Sequence, residues 1–329
     1  MQENKPSVVS VIIPVHNRFD LANQAVESVF AQTYRPIEII IVDDCSEIAY
    51  TPSQTNLNKA GITLQVIRLN ENKGPGLARE AGRSIFTGSY LCYLDSDDLW
   101  HPSKIEKQYN ELITRPGIGM CYCLTIEFEE LPIKGNENIR ISNNNAYDSF
   151  LPIILYGRPW STSACMWTRN AIDLIGPWIS AWTFEDVEYD CRAGCHDMKI
   201  SLLPEVLAYK RNSPALEQLS SIDRKQATIQ KMHPIREMAK WLISSGKISI
   251  PEINDVFYSK VLKRNLIRLI DFGEFGFALD LCNIVRKISP LYFRRRIISD
   301  LIIITIKINK IIRIPSPRWR LLKHLQNYM

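Results

Sequence analysis

The sequence predicts an α/β fold: a mostly parallel sheet flanked by helices, followed by a helical C-terminal region. Three observations carry this. Apolar, β-branched runs alternate with stretches of helical spacing through the first half of the chain. Each of four such runs ends in polar or turn residues. Beyond about Ser213 the strand signal stops and helical spacing continues alone.

Ser7 to Ile13 is a β-branched run closed by Pro14. Leu21 to Gln32 sets Leu21, Ala25, Val29 and Phe30 on one side and reads as a helix. Ile37 to Val42 is a second buried-strand run, ending in Asp43-Asp44. Ile62 to Leu69 alternates as a strand and leads into Asn70-Glu71-Asn72-Lys73-Gly74. Pro75 suits the first position of a helix reaching about Phe86. Gly88 to Leu94 reads as a fourth strand, ended by Asp95-Ser96-Asp97-Asp98, and a helix follows from about Pro102 to Thr114. Four βα units in succession argue for a parallel sheet covered on both faces. Gly135 to Asn145, with five Asn, is expected as a polar surface loop. Residues 147–211 mix short helices and strands and hold four of the seven tryptophans. Helical patterns then run over Gln218 to Ser244, Pro251 to Phe272, Phe275 to Lys287 and Tyr292 to about Ile312. A boundary near residue 215 divides the chain into an α/β region, 1–215, and a helical region, 216–329.

Composition narrows the field. An apolar content of 46% supplies a sizeable core. The eight cysteines include no CxxC pair. Cys121 and Cys123 read as core of a strand, Cys191 and Cys195 lie four apart on a helix beside His196, and no second ligand pair completes a zinc site. Reduced thiols in a cytoplasmic protein are the expectation. Residues 1–6 form no apolar signal segment, and the longest apolar stretches are too short to span a bilayer. Arg286 to Met329 carries eleven basic residues and one acid, a net +10, against −5 for residues 1–285. That asymmetry points to an anionic partner for the C-terminal end.

Strand ends are where an open α/β sheet binds its ligand. A packed sheet has no need for acids at two of its four strand ends, whereas one nucleotide site assembled there explains the set. Asp44 could accept hydrogen bonds from a base or ribose. Asp95 and Asp97, two apart, share a face in extended chain and suit Mg²⁺ or Mn²⁺ together with substrate phosphates. Asp98 reads as a cap for the next helix. Arg79, one turn into the helix after the glycines, is divided between a phosphate or base contact and a surface salt bridge. Glu185-Asp186 is divided between favouring a helix N-terminus and supplying a general base. Trp160 and Trp182 nearby suit packing against a sugar, while Trp167 and Trp178 are expected in the core. His16 reads as a turn residue without a proton-transfer role, His101 is divided between a place near the metal and a cap-region surface position, and His196, His233 and His324 form no coherent metal set. No GxGxxG, GxxxxGK[ST] or GxSxG occurs, which argues against a dinucleotide fold, a P-loop and an α/β-hydrolase.

Four blocks in order resemble the family 2 glycosyltransferases of the GT-A (Rossmann-like) fold: 8–18 with Gln32-Thr33-Tyr34, 38–46, 72–82 and 93–98. The resemblance covers about residues 7–211. It implies a nucleotide-sugar donor, by family habit UDP-linked, and inversion at the anomeric carbon. It implies donor contacts from Pro14, Asn17, Asp44, Arg79, Asp95 and Ser96. Asp95 and Asp97 match the metal motif, with Asp97 the stronger ligand for Mn²⁺ or Mg²⁺. Glu185-Asp186 matches a Glu-Asp pair in which Asp186 resembles the catalytic base, with Glu185, Trp160 and Trp182 on the acceptor side. Arg169 with Ile175-Gly176-Pro177-Trp178 resembles the stretch before that pair. Many members carry a His after a Tyr and a basic pair; here Tyr209-Lys210-Arg211 leads to Asn212, so Lys210 or Arg211 is expected to stand in.

The implied activity is transfer of a sugar to a hydroxyl of a saccharide or lipid-linked acceptor in surface polysaccharide synthesis. The alternative is a non-catalytic nucleotide-sugar-binding partner or scaffold. No nucleic-acid-binding motif is present. Ile297, Leu301, Ile304, Ile308 and Ile311 form one apolar stripe flanked by basic residues. Residues 286–329 are therefore expected to attach the enzyme peripherally to an anionic membrane surface from the cytoplasm. Packing of that stripe on the protein itself is the other reading.

Overall fold

The computed structural model describes residues 6–52, 60–129, 145–212, 223–288, 299, 301 and 302. The expected polar loop at 135–145, save its last residue, the boundary near 215 and most of the stripe from Ile297 to Ile311 lie outside these residues.

The four expected strands form one parallel half-sheet: β1 (Val9–Val15), β2 (Ile37–Asp43), β3 (Ile62–Arg68) and β4 (Tyr90–Tyr93). β1 pairs in parallel with both β2 and β4, and β2 with β3. The crossovers are α1 (Phe19–Phe30) and α2 (Gly74–Arg83). After β4 come a short strand β5 (Leu99–Trp100), helix α3 (Lys104–Thr114) and the long strand β6 (Ile118–Phe128). Next follow α4 (Ile153–Tyr156), β7 (Cys165–Thr168), α5 (Arg169–Ile175), α6 (Glu185–Cys195) and β8 (Lys199–Arg211). The sheet has eight strands in the order β3-β2-β1-β4-β7-β6-β8-β5. β7 runs antiparallel to both β4 and β6, β5 runs antiparallel to β8, and β6 and β8 are parallel. The second half is thus mixed where the first is parallel.

Period-2 alternation builds the two layers. Val9, Val11, Ile13 and Val15 pack with α1 and α3 on one face, together with Ile37, Ile39 and Ile41. Ile12, Ile40 and Val42 face the other way, onto α2, α6 and the C-terminal helices. These helices are α7 (Arg224–Gln230), α8 (Met232–Ser244), α9 (Pro251–Val256), a π-helical turn (Phe257–Leu262), α10 (Lys263–Asp271) and α11 (Phe275–Ile288). Met238, Leu242, Phe257, Leu262, Leu269 and Leu281 are fully or nearly fully buried in the same core as Trp167, Trp178 and Tyr189. Beyond α11, Ile302 is buried and Leu301 is exposed. Among the described residues no helix is long and apolar enough to cross a membrane.

Candidate active site

The ends of β1, β2 and β4 and the loop after β3 converge. Asn17 adopts a left-handed backbone with φ 54°. Its amide N–H donates to Ser46 Oγ at 3.0 Å, and its side-chain Oδ1 accepts from the Glu47 N–H at 2.8 Å. The β1 and β2 turns are stitched together there. His16 Nδ1 lies 2.9 Å from the Asp44 carbonyl, and Asn72 Nδ2 lies 3.0 Å from His16 Nε2. Pro14, partly exposed, lies within β1 one residue before its end, beside this junction.

Asp44 is buried at 4% exposure, and its two oxygens accept from the Lys73 and Gly74 N–H groups, each at 2.8 Å. It therefore holds the start of α2, whose orphan N–H groups need acceptors. Burial raises its carboxyl above the usual range against those two bonds. Gly74, at φ +80°, lies under the Trp182 ring. A Cβ on Gly76 would sit 2.5 Å from the Ile179 carbonyl oxygen, so glycine lets α2 pack directly on the 179–182 loop.

The acidic turn after β4 is held by arginines from both ends of the domain. Asp97 pairs with Arg18 at 3.0 Å, and its carbonyl accepts from Arg211 Nε at 3.1 Å. Asp98 is buried and does not cap α3. Its oxygens accept from Ser163 Oγ at 2.7 Å and the Arg211 N–H at 3.1 Å, and Ser103 precedes α3 instead. Ser96 is partly exposed at the tip. Burial pushes Asp97 up, and the Asp95 charge pushes it further, while Arg18 opposes both. A divalent cation beside Asp95 and Asp97 would relieve the repulsion between these two carboxylates. Two hard carboxylates fit Mg²⁺ or Mn²⁺, which commonly complete their shell with water and substrate phosphates. Among the described residues no cluster of three or more His, Cys, Asp or Glu is placed to form an all-protein cage.

Arg79 is 4% exposed and pairs with Asp95 and with Glu185, both at 2.8 Å. It is neither a surface salt bridge nor an open guanidinium, and it ties the end of β4 to the start of α6. Its guanidinium also lies 5.0 Å from the Trp178 ring centroid. The sequence could not show this pairing, because its partners lie 16 and 106 residues away.

On α6, Glu185, Glu188 and Asp190 are buried, whereas the Asp186 side chain keeps 30% exposure. Glu185 is raised by burial first and by Asp186 next, with Arg79 opposing. Arg158 was missed by the sequence reading. Its side chain, 9% exposed, donates to Asp190 Oδ2 at 2.6 Å through Nε and to Asp186 Oδ2 at 3.1 Å through NH1. Trp160 Nε1 also donates to Asp190, at 2.9 Å. Trp160 corrects an expectation. It is 4% exposed, its ring packs against Tyr122 and Phe150, and its faces are not open to an acceptor. Trp182 is 38% exposed and borders the site. Trp167 and Trp178 are core, as expected. Arg211 is the basic residue that reaches the acidic turn, while Lys210 is exposed. Asn212 donates to Glu127 at 3.1 Å.

Residues 10–167 match the model of glycosyl transferase family 2. The chain is 37% identical over 112 residues to the putative teichuronic acid biosynthesis glycosyltransferase TuaG of Bacillus subtilis, covering 34% of this chain and 44% of that protein. It is 42% identical over 100 residues to an uncharacterized glycosyltransferase of Rickettsia felis, covering 30% of this chain and 16% of the other. It thus spans less than half the length of both relatives. In fold it is similar to S. aureus TarS residues 1–349 in complex with UDP-GlcNAc, at 18% identity and TM-score 0.57, covering 92% and 91% of the two chains. It is also similar to the Pyrobaculum calidifontis mannosyltransferase PcManGT in complex with GDP-Man and Mn²⁺, at 12% identity and TM-score 0.52, covering 99% and 85%. Both likenesses speak to the fold alone.

Proposed function

Since this chain belongs to the family 2 glycosyltransferases through residues 10–167, we propose that it is an inverting transferase. In this reading it moves a sugar from a nucleotide-sugar to an acceptor hydroxyl in surface polysaccharide synthesis. The carrying observation is the selective exposure of Asp186 on α6 while Glu185, Glu188 and Asp190 are buried and paired. A general base must reach a substrate proton, and of these four carboxylates Asp186 alone remains open.

Asp186 takes the proton of the acceptor hydroxyl as its oxygen attacks the anomeric carbon. The nucleoside diphosphate leaves from the opposite face, and no covalent enzyme intermediate is needed. Arg158 fixes the Asp186 carboxylate from behind, through NH1. Arg79 keeps Glu185 and Asp95 in register, so the two halves of the site are set by one buried guanidinium. Asp97, with Asp95 beside it, would hold Mg²⁺ or Mn²⁺. When bound, that ion supplies neutralisation of diphosphate charge. Pro14, Asn17, Asp44 and Ser96 line the strand ends where the nucleotide is expected, and Trp182 borders the acceptor side. UDP is the preferred carrier, in keeping with the UDP-GlcNAc held by TarS. A polysaccharide acceptor accords with the name of the TuaG relative. The basic segment 286–329 is proposed to rest on an anionic membrane surface.

The test is a donor screen with Mn²⁺ and UDP-, GDP- and dTDP-sugars, following nucleotide release by the native chain and by Asp186→Asn. The variant should lose about 10²-fold or more in turnover with donor affinity near native. Turnover within a few-fold of native would move the base elsewhere. Donor binding without turnover in the native chain would favour a scaffold.

A further inference from the structure

Several cations of the C-terminal helices have a carboxylate partner. Lys225 pairs with Glu274 at 2.7 Å, Lys240 with Glu237 at 2.7 Å, and Arg236 and Lys247 pair with Asp280 and Asp197. Among the described cations that pair with no acid, Arg224, Lys231, Arg264 and Arg268 are neighbours.

Helix geometry brings these four together. Arg264 and Arg268 are four apart on α10 and share a face. Arg224 and Lys231, seven apart across α7, share another face, and α7 packs on α10. Arg268 feels the charges of both Arg224 and Arg264, and Lys231 feels those of Arg264 and Arg268. Lys231 and Arg268 are also partly desolvated, which lowers both. Four like charges gathered with no ion pair of their own carry mutual repulsion, which an anionic ligand would relieve.

The cluster adjoins the catalytic end of α6. Lys231 Nζ stands 5.5 Å from the ring centroid of Phe184, the residue before Glu185-Asp186, and it interacts electrostatically with Asp186. α8, which starts beside Lys231, packs along α6. Asp95, Arg79 and Glu185 connect α6 to the metal-binding turn, while Asp186 and Lys231 connect it to these helices. The donor's diphosphate is served by the metal-binding turn, so the cluster is left for the other substrate.

We infer that Arg224, Lys231, Arg264 and Arg268 cradle a diphosphate group of the acceptor, placing its hydroxyl at Asp186. Guanidinium forks match phosphate oxygens in bidentate fashion, and four cations suit a diphosphate better than a single carboxylate. This rests on the transferase reading for the role of Asp186.

The probe is inorganic pyrophosphate, titrated calorimetrically into the full chain in excess EDTA so that the metal-binding turn is silent. The native chain should bind it, with affinity falling steeply as salt rises. R264Q/R268Q, and separately R224Q at an exposed position, should each weaken binding, the double variant at least tenfold. Circular dichroism confirms that each variant folds. Asp186→Asn should tighten binding, because a facing negative charge is removed. No binding by the native chain at low salt, equal binding by R264Q/R268Q, or no response to Asp186→Asn would each overturn the cradle. If R264Q/R268Q instead loses attachment to anionic phospholipid vesicles and keeps native pyrophosphate affinity, the cluster serves a membrane surface and the proposal fails. Donor turnover by the native chain reports the transferase reading separately, so either can fail without the other.

Discussion

Two arginines, the buried Arg79 and the largely covered Arg158, each hold a pair of carboxylates at the site. Breaking a buried ion pair from one side leaves an uncompensated charge, typically at roughly 3–5 kcal/mol. Arg79→Met should lower stability by about that amount in urea denaturation, because it strands both Asp95 and Glu185. A loss under about 1 kcal/mol would show that water replaces the guanidinium. Asp97→Ala should remove metal-stimulated nucleotide release while leaving the melting temperature near native. Excess chelator should reproduce that loss in the native chain, and full activity in chelator would end the metal assignment. The acids were legible in the sequence because they stand at strand ends, where carboxylates serve no packing purpose. Their arginine partners were not, because pairs such as Arg158–Asp190, 32 residues apart, leave no local pattern. Trp160 misled for a related reason. An aromatic near a site reads alike whether its face is open or packed on Tyr122 and Phe150.

At the scale of elements, α2 joins both halves of the site. Asp44 fastens its start, Arg79 projects from its middle, and Gly76 allows it to touch the backbone at Ile179. Gly76→Ala forces a Cβ to 2.5 Å from a carbonyl oxygen that cannot yield as a flexible side chain would. The helix or the 179–182 loop must move, with a loss of roughly 1–3 kcal/mol expected from overpacking. Thermal melting measures that loss, and tryptophan fluorescence should report the displacement of Trp182. An unchanged melting temperature and spectrum would mean that the loop adapts freely. The four strands of the parallel half were readable one by one, because each apolar run is closed locally by its own polar or turn residues. The order β4-β7-β6-β8-β5 was not, because β7 enters antiparallel between strands distant in sequence. The C-terminal helices were readable from α7 to α11, apart from the break near Lys231 and the π-helical turn.

Across the whole molecule, the C-terminal helices share one core with a face of the sheet, and that core contains charge. Glu188, fully buried, hydrogen-bonds with Arg192 at 2.9 Å. Burial pushes its carboxyl up to about 7 against that cation. A raised carboxyl keeps its proton in the fold when the unfolded chain has released it. Its stabilising contribution is full below the unfolded value of 4.5 and is lost as pH rises through about 7. Asp98 and Asp190 are raised as well, so they act in the same direction. Unfolding free energy should therefore fall between pH 5 and pH 8 by on the order of 2–3 kcal/mol. Glu188→Gln should flatten that dependence, and an equally steep profile in the variant would assign it to other groups.

The single guanidinium that joins Asp95 to Glu185 has a consequence for how such enzymes diversify. The turns proposed to face the donor come from residues 14–98, and the groups around Asp186 come from residues 158–268. Segments written in two separate stretches of one gene can be inherited separately. A recombinant that keeps the first stretch and takes the second from a relative preserves the junction if the newcomer presents a carboxylate to Arg79 and keeps Ser163 and Arg211 for the acidic turn. Acceptor preference would then pass between lineages as a block, with the donor half left intact.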